Sequence, residues 1–119
     1  MSPPVKIERE LIRGAGPVAV LQLLKRKEMY GYELAEALSR RTDGVLALGQ
    51  STLYPLLYSL EAKRLVASRW VEAPSGRRRR YYSLTQRGAA LLDERRAQWR
   101  ELFEAMIDLG VVPPATREA

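Results

Sequence analysis

Apolar residues recur at helical spacing over most of the chain and switch to alternation only near residue 70. Val5 to Arg13 reads as a short amphipathic piece. Gly14-Ala15-Gly16-Pro17 interrupts it, and Pro17 suits the first turn of a new helix. Val18, Ala19, Val20, Leu21, Leu23 and Leu24 make that helix largely buried, and Lys25-Arg26-Lys27-Glu28 ends it. Tyr30-Gly31-Tyr32 is a turn into a second helix, Tyr32 to Arg41, with Leu34, Ala35 and Leu38 inward. Thr42-Asp43-Gly44 stops this helix, and the apolar Val45 to Leu48 reads as a brief strand. A third helix runs from about Ser51 to Arg64.

The period-two stretch, Leu65 to Glu72 (LVASRWVE), is rich in β-branched and aromatic residues and predicts a strand. Ala73-Pro74-Ser75-Gly76 turns the chain, and Arg79 to Leu84 returns it. Four consecutive arginines, Arg77 to Arg80, sit at the far end of this hairpin. Thr85 is the candidate cap of a long last helix that Gly110 ends after Leu109. Three helices, a two-stranded hairpin and a long helix make a mainly α chain with a small β wing. This is a winged helix-turn-helix whose third helix is the reading helix. The expected organisation is an N-terminal arm over 1–13, the winged domain over 14–84, a dimerisation helix over 85–110 and a flexible tail over 111–119.

The third helix carries an unusual surface. On a helical wheel Leu53, Leu56, Leu57 and Leu60 fall in one arc about 100° wide. Ser51, Pro55, Tyr58 and Ala62 fall opposite, flanked by Tyr54 and Ser59. The leucines must face the core, so hydroxyls of Ser51, Thr52, Tyr54 and Tyr58 can face a major groove, reaching phosphates or base edges. A helix whose first turns lack carboxylates does not repel DNA. The same tyrosines could instead cover the edge of the core, with Ser51 capping the helix. A solvated hairpin tip is the plain alternative for the arginines. A wing beside the reading helix is placed to touch the backbone or the minor groove. Alternation along the strand lets only some of the four point at DNA, with Arg77, Arg78 and Arg79 preferred.

Composition narrows the chemistry. The chain has 119 residues, suited to one domain, and a formal net charge of +6, which favours a polyanionic partner. It has no cysteine and no histidine, so disulfides, thiolate zinc sites, cysteine nucleophiles and histidine acid–base chemistry are excluded. Asp43, Asp93 and Glu94 are available carboxylates without a nucleophile or base to pair with. The chain reads as a non-enzyme that needs no cofactor and no metal. No signal-like or membrane-spanning apolar run is present, so a cytoplasmic protein without membrane contact is expected.

Four segments together carry a likeness: YGYELAEAL (30–38), STLYPLLYSLEAKRLV (51–66), the tryptophan of SRWVE (68–72) and GRRRRYYSLTQRG (76–88). Over roughly residues 14–88 the chain resembles the PadR family of bacterial transcriptional regulators. The resemblance implies a homodimeric winged-helix repressor on a palindromic operator, often controlling detoxification or efflux genes. It places Ser51, Thr52, Tyr54 and Tyr58 on the reading helix and Arg77 to Arg80 on the wing. Only one helix follows the wing, so the chain is similar to the short subfamily, in which that helix builds the dimer.

The last helix supports pairing on its own pattern. Leu92, Trp99 and Met106 recur every seven residues, with Leu102 and Leu109 interleaved and one break at Arg95. A second copy, together with Val5 to Ile12, would bury this seam, and two copies would present two reading helices to an inverted repeat of double-stranded DNA. In the short PadR-like subfamily some members hold flat aromatic drugs between paired terminal helices, against a tryptophan. Trp99, Phe103 and Met106 could line such a site for a small aromatic effector, ordinary interface packing of Trp99 being the alternative. The competing reading of the whole is a winged-helix module that docks proteins and turns its arginines on acidic partners.

Overall fold

A computed structural model describes residues 5–114. The order is α1 (Arg9–Leu24), β1 (Met29–Tyr30), α2 (Gly31–Arg41), α3 (Gln50–Ala62), β2 (Val66–Glu72), β3 (Arg78–Leu84) and α4 (Gln86–Asp108). The first four residues of the expected N-terminal arm and the last five of the expected flexible tail lie outside the described residues. The three strands form one antiparallel sheet in the order β1-β3-β2. Val20, Leu21, Leu34, Leu53, Leu57, Val66, Tyr82 and Leu92 are almost fully buried and join the three N-terminal helices, the sheet and the root of α4 in one core. This is the winged helix-turn-helix that the apolar pattern predicted.

Three local expectations are corrected. Gly14–Pro17 does not interrupt anything, because α1 runs through it. Pro17 forgoes only one backbone bond, and burial of Val20, Leu21, Leu23 and Leu24 outweighs it. Gly16 is buried in the same stretch; a Cβ there would sit 3.3 Å from Leu56, so the glycine lets α1 and α3 close on each other. Tyr30 is not in a turn: Met29 and Tyr30 pair with Tyr82 and Tyr81 of β3 as the short edge strand β1. Val45–Leu48 is not a strand. After α2, Asp43 (φ 50°) and Gly44 (φ 82°) reverse the chain in left-handed conformations. The Thr42 hydroxyl then donates to the Leu38 carbonyl at 2.6 Å and accepts from the Leu46 N–H at 2.9 Å, which folds the segment onto the helix end. Leu46 and Leu48 still pack on the core, which is the apolar signal the sequence carried.

The root of α4 is fixed more tightly than its length suggests. Thr85 caps the helix by accepting from the Gly88 N–H at 3.0 Å, while its own N–H donates to the Leu65 carbonyl at 3.2 Å. Its hydroxyl also lies within donating reach of the Arg64 and Leu65 carbonyls. Leu92, expected on the dimer seam, is instead fully buried in the core of its own chain. The first turns of α4 lie on the body, so the lowest position of the heptad is already covered.

At the other side of the sheet, Arg69 of β2 donates from Nε to a Glu28 oxygen at 3.1 Å, and its terminal nitrogen meets the second oxygen. These hydrogen bonds hold the Glu28 carboxyl below its ordinary value, against a smaller upward push from desolvation. A depressed carboxyl contributes stability above its unfolded value and loses it as pH falls through the folded one. Wild-type protein is therefore expected to lose slightly more stability on acidification from about pH 6 to about pH 3 than Glu28→Gln does. Urea denaturation at the two pH values measures the difference, which must be small because the pair is exposed.

Candidate nucleic-acid interface

The third helix shows the division its wheel predicted. Leu53, Leu57 and Leu60 are buried, Leu56 is half-buried against Gly16, and Ser51, Thr52, Pro55, Tyr58, Ser59 and Ala62 are exposed. Gly49 is the N-cap of α3 and no side chain caps it, so Ser51 is not spent on capping and its hydroxyl stands on the open face. Pro55 is tolerated one turn into the helix. Tyr58 is 52% exposed. Tyr54 differs: it is half-buried, packed on the core, with its hydroxyl end directly over the α-carbon of Gly31. Only a glycine at position 31 leaves that space. Tyr54 thus joins α3 to the start of α2 and offers an edge to the surface.

The four arginines separate by strand face. Arg77 and Arg78 are exposed, and Arg78 lies 5.1 Å from the centre of the Trp70 ring. Arg79 lies 4.6 Å over the Tyr30 ring on the opposite face of the hairpin. Arg80 is committed within the chain. One terminal nitrogen donates to Glu61 of α3 at 2.8 Å and Nε donates to the Ser68 hydroxyl at 2.9 Å, while that hydroxyl donates to the other Glu61 oxygen at 2.5 Å. The same guanidinium lies 5.9 Å from the Tyr58 ring and 5.6 Å from the Tyr82 ring. Arg80, which the family resemblance places with the DNA-contacting arginines of the wing, is by this geometry the strut that fixes the wing against α3 and holds Tyr58. Tyr82, beneath it, is buried, and desolvation raises its hydroxyl pKa.

Sequence reasoning passed over Glu61 and Ser68. Glu61 is the only carboxylate of α3, and its signal was that isolation beside a basic hairpin. Its charge is met by Arg80, which leaves the outward surface of α3 without a free acid. Among the described residues no cluster of acidic side chains could hold a metal ion, and no helix is long and apolar enough to cross a membrane.

The model of the transcriptional regulator PadR-like family matches residues 20–94, from the middle of α1 into α4. The chain belongs to the PadR family. It is 37% identical over 99 residues to the transcriptional regulator Rv3488 of Mycobacterium tuberculosis, a match covering 83% of this chain and 89% of that protein. It is 32% identical over 101 residues to the transcriptional regulator YqjI of Escherichia coli, but spans only 46% of that protein's length. Among solved structures, a PadR family transcriptional regulator from Eggerthella lenta superposes with a TM-score of 0.74 at 37% identity, over 84% of this chain and 85% of that one.

The PadR-matched segment ends at residue 94, and the seam of α4 continues beyond it. Trp99, Leu102, Phe103 and Leu109 are all exposed, and Met106 is half-buried. The residues expected to hold an aromatic effector, Trp99, Phe103 and Met106, therefore lie on the outer half of α4, where this PadR chain leaves Trp99 and Phe103 exposed and covers Met106 only in part. Val5 and Leu11, near the start of α1, are also uncovered apolar side chains.

Proposed function

We propose that this PadR protein is a homodimeric, sequence-specific DNA-binding repressor. Its α3 enters the major groove of each half of an inverted repeat, and its wing meets the flanking backbone. The observation that carries this reading is the outward face of α3, which is exposed, hydroxyl-bearing and free of unpaired acid beside two exposed arginines. Ser51, Thr52 and Tyr58 supply hydrogen bonds to base edges or phosphates, and Tyr54 contributes from the margin. Arg77 and Arg78 supply the salt-sensitive backbone contacts, Arg79 adds charge on the far side of the hairpin, and Arg80 positions Tyr58. Pairing through Trp99, Leu102, Phe103, Met106 and Leu109, with Val5 to Ile12 of the second copy, buries the open seam and sets the distance between the two reading helices. A small aromatic effector stacking on Trp99 between the paired helices would change that distance and release the operator.

A footprint on the protein's own upstream region tests this. Wild type is expected to protect an inverted repeat, and Tyr58→Ala to bind it about tenfold more weakly. Arg77→Ala with Arg78→Ala should lower the slope of log affinity against log salt by about two. Full protection by both variants would remove these residues from the interface. Absence of any selective duplex binding by wild type would favour the protein-docking reading.

A further inference from the structure

Trp70 projects from the wing, 56% exposed, and takes no part in the contacts proposed above. The strand register places it opposite Arg80, on the face shared by the pairs Ser68–Tyr82 and Glu72–Arg78. The inner end of that face is buried through Tyr82, and Arg80, midway along it, lies beside α3. The Arg80 guanidinium lies 5.9 Å from the Trp70 ring and 5.9 Å from the Tyr58 ring, so the indole and the phenol flank one cation. Trp70 of the wing and Tyr58 of α3 are therefore two exposed aromatic rings gathered around Arg80, where the wing meets the helix.

The surroundings define what these rings can meet. Arg78 lies over the indole and is exposed, ready for an anion. Glu61 of α3 is engaged by Arg80 and Ser68, and the exposed Glu72, the other acid on this face, stands directly opposite Arg78. The indole offers a broad apolar face and one N–H that can only donate. A partner that is apolar on one side and anionic on the other, and that fits between a helix and a hairpin, is a sugar–phosphate strand.

We propose that Trp70 is a DNA-contact residue: its indole packs on a deoxyribose of the strand lying between α3 and the wing, and its N–H donates to a phosphate oxygen. Arg78 meets the neighbouring phosphate. This assignment rests on the DNA-binding reading above and adds to it a shape-dependent contact that carries no charge.

The chain has two tryptophans, so full-length protein labelled with 5-fluorotryptophan gives two fluorine resonances, and Trp70→Phe assigns them. The probe is the duplex selected by wild type from a random-sequence pool. Saturation with it is expected to shift the Trp70 resonance. Trp70→Ala should bind that duplex about tenfold more weakly, the scale of losing an interfacial tryptophan. The salt slope should not change, because no charge is removed. Trp70→Phe keeps an aromatic face but loses the N–H, so it should bind more weakly than wild type and more tightly than Trp70→Ala. If the alanine protein does not fold, wild-type affinity in Trp70→Phe together with an unmoved fluorine resonance overturns the assignment. An unmoved Trp70 resonance at saturation, or wild-type affinity in Trp70→Ala, overturns the assignment and leaves the DNA-binding reading standing. A wild-type chain that selects no duplex overturns both.

Discussion

Gly88→Ala is expected to destabilise the protein by at least about 3 kcal/mol, the upper range of forced overpacking. A Cβ at residue 88 would lie 2.0 Å from the Leu65 carbonyl oxygen and 2.8 Å from a Leu84 methyl. The first of these is backbone and cannot rotate away. Relief requires α4 to lift from the start of β2, which breaks the bond from the Thr85 N–H to Leu65 and uncovers Leu92. Gly14→Ala is the control: nothing lies within 4 Å of a Cβ there, and the position is inside α1. It should gain about 0.5–1 kcal/mol from the lower conformational freedom of alanine. Urea denaturation of the two variants at one protein concentration measures both. Equal stability of Gly88→Ala and wild type would mean that α4 is not seated as described.

Leu102→Asp combined with Phe103→Asp is expected to halve the solution mass and to weaken operator binding by at least about 100-fold, the loss that follows when two linked sites must bind separately. Both side chains are roughly half exposed on the outer part of α4, away from the core. The fold of each chain should therefore survive, with an unchanged helical signal. Light scattering and a duplex titration give the two readings. A wild-type mass equal to one chain at working concentration would remove the dimer, and with it the paired presentation of α3.

The legible features were those whose cause is local. The leucines of α3 recur at the spacing of a helix, so Leu53, Leu57 and Leu60 had to share a buried face, and Tyr58 had to stand away from it. Thr85 stood before a helical pattern and became its cap. The alternation in Leu65–Glu72 and the following turn cluster fixed the hairpin to within a residue or two. Strand β1 was illegible because two residues have no period to read; its existence depends on the free edge of β3. Val45–Leu48 had the composition of a strand but joins no strand of the sheet; Leu46 and Leu48 pack on the core instead.

The candidate site divides in the same way. The sequence determined that a hydroxyl-bearing, leucine-backed helix precedes an arginine-tipped hairpin, because helical period and strand alternation are properties of neighbouring residues. Tertiary structure decided which arginine is spent inside the protein. Arg80 meets Glu61 and Ser68 only when β3 lies across the end of α3, and no local spacing encodes that meeting. It also decided the fate of the heptad on α4. An apolar stripe states that it must be covered, without stating by what; the body of the same chain covers Leu92, and Trp99, Leu102 and Leu109 extend beyond it.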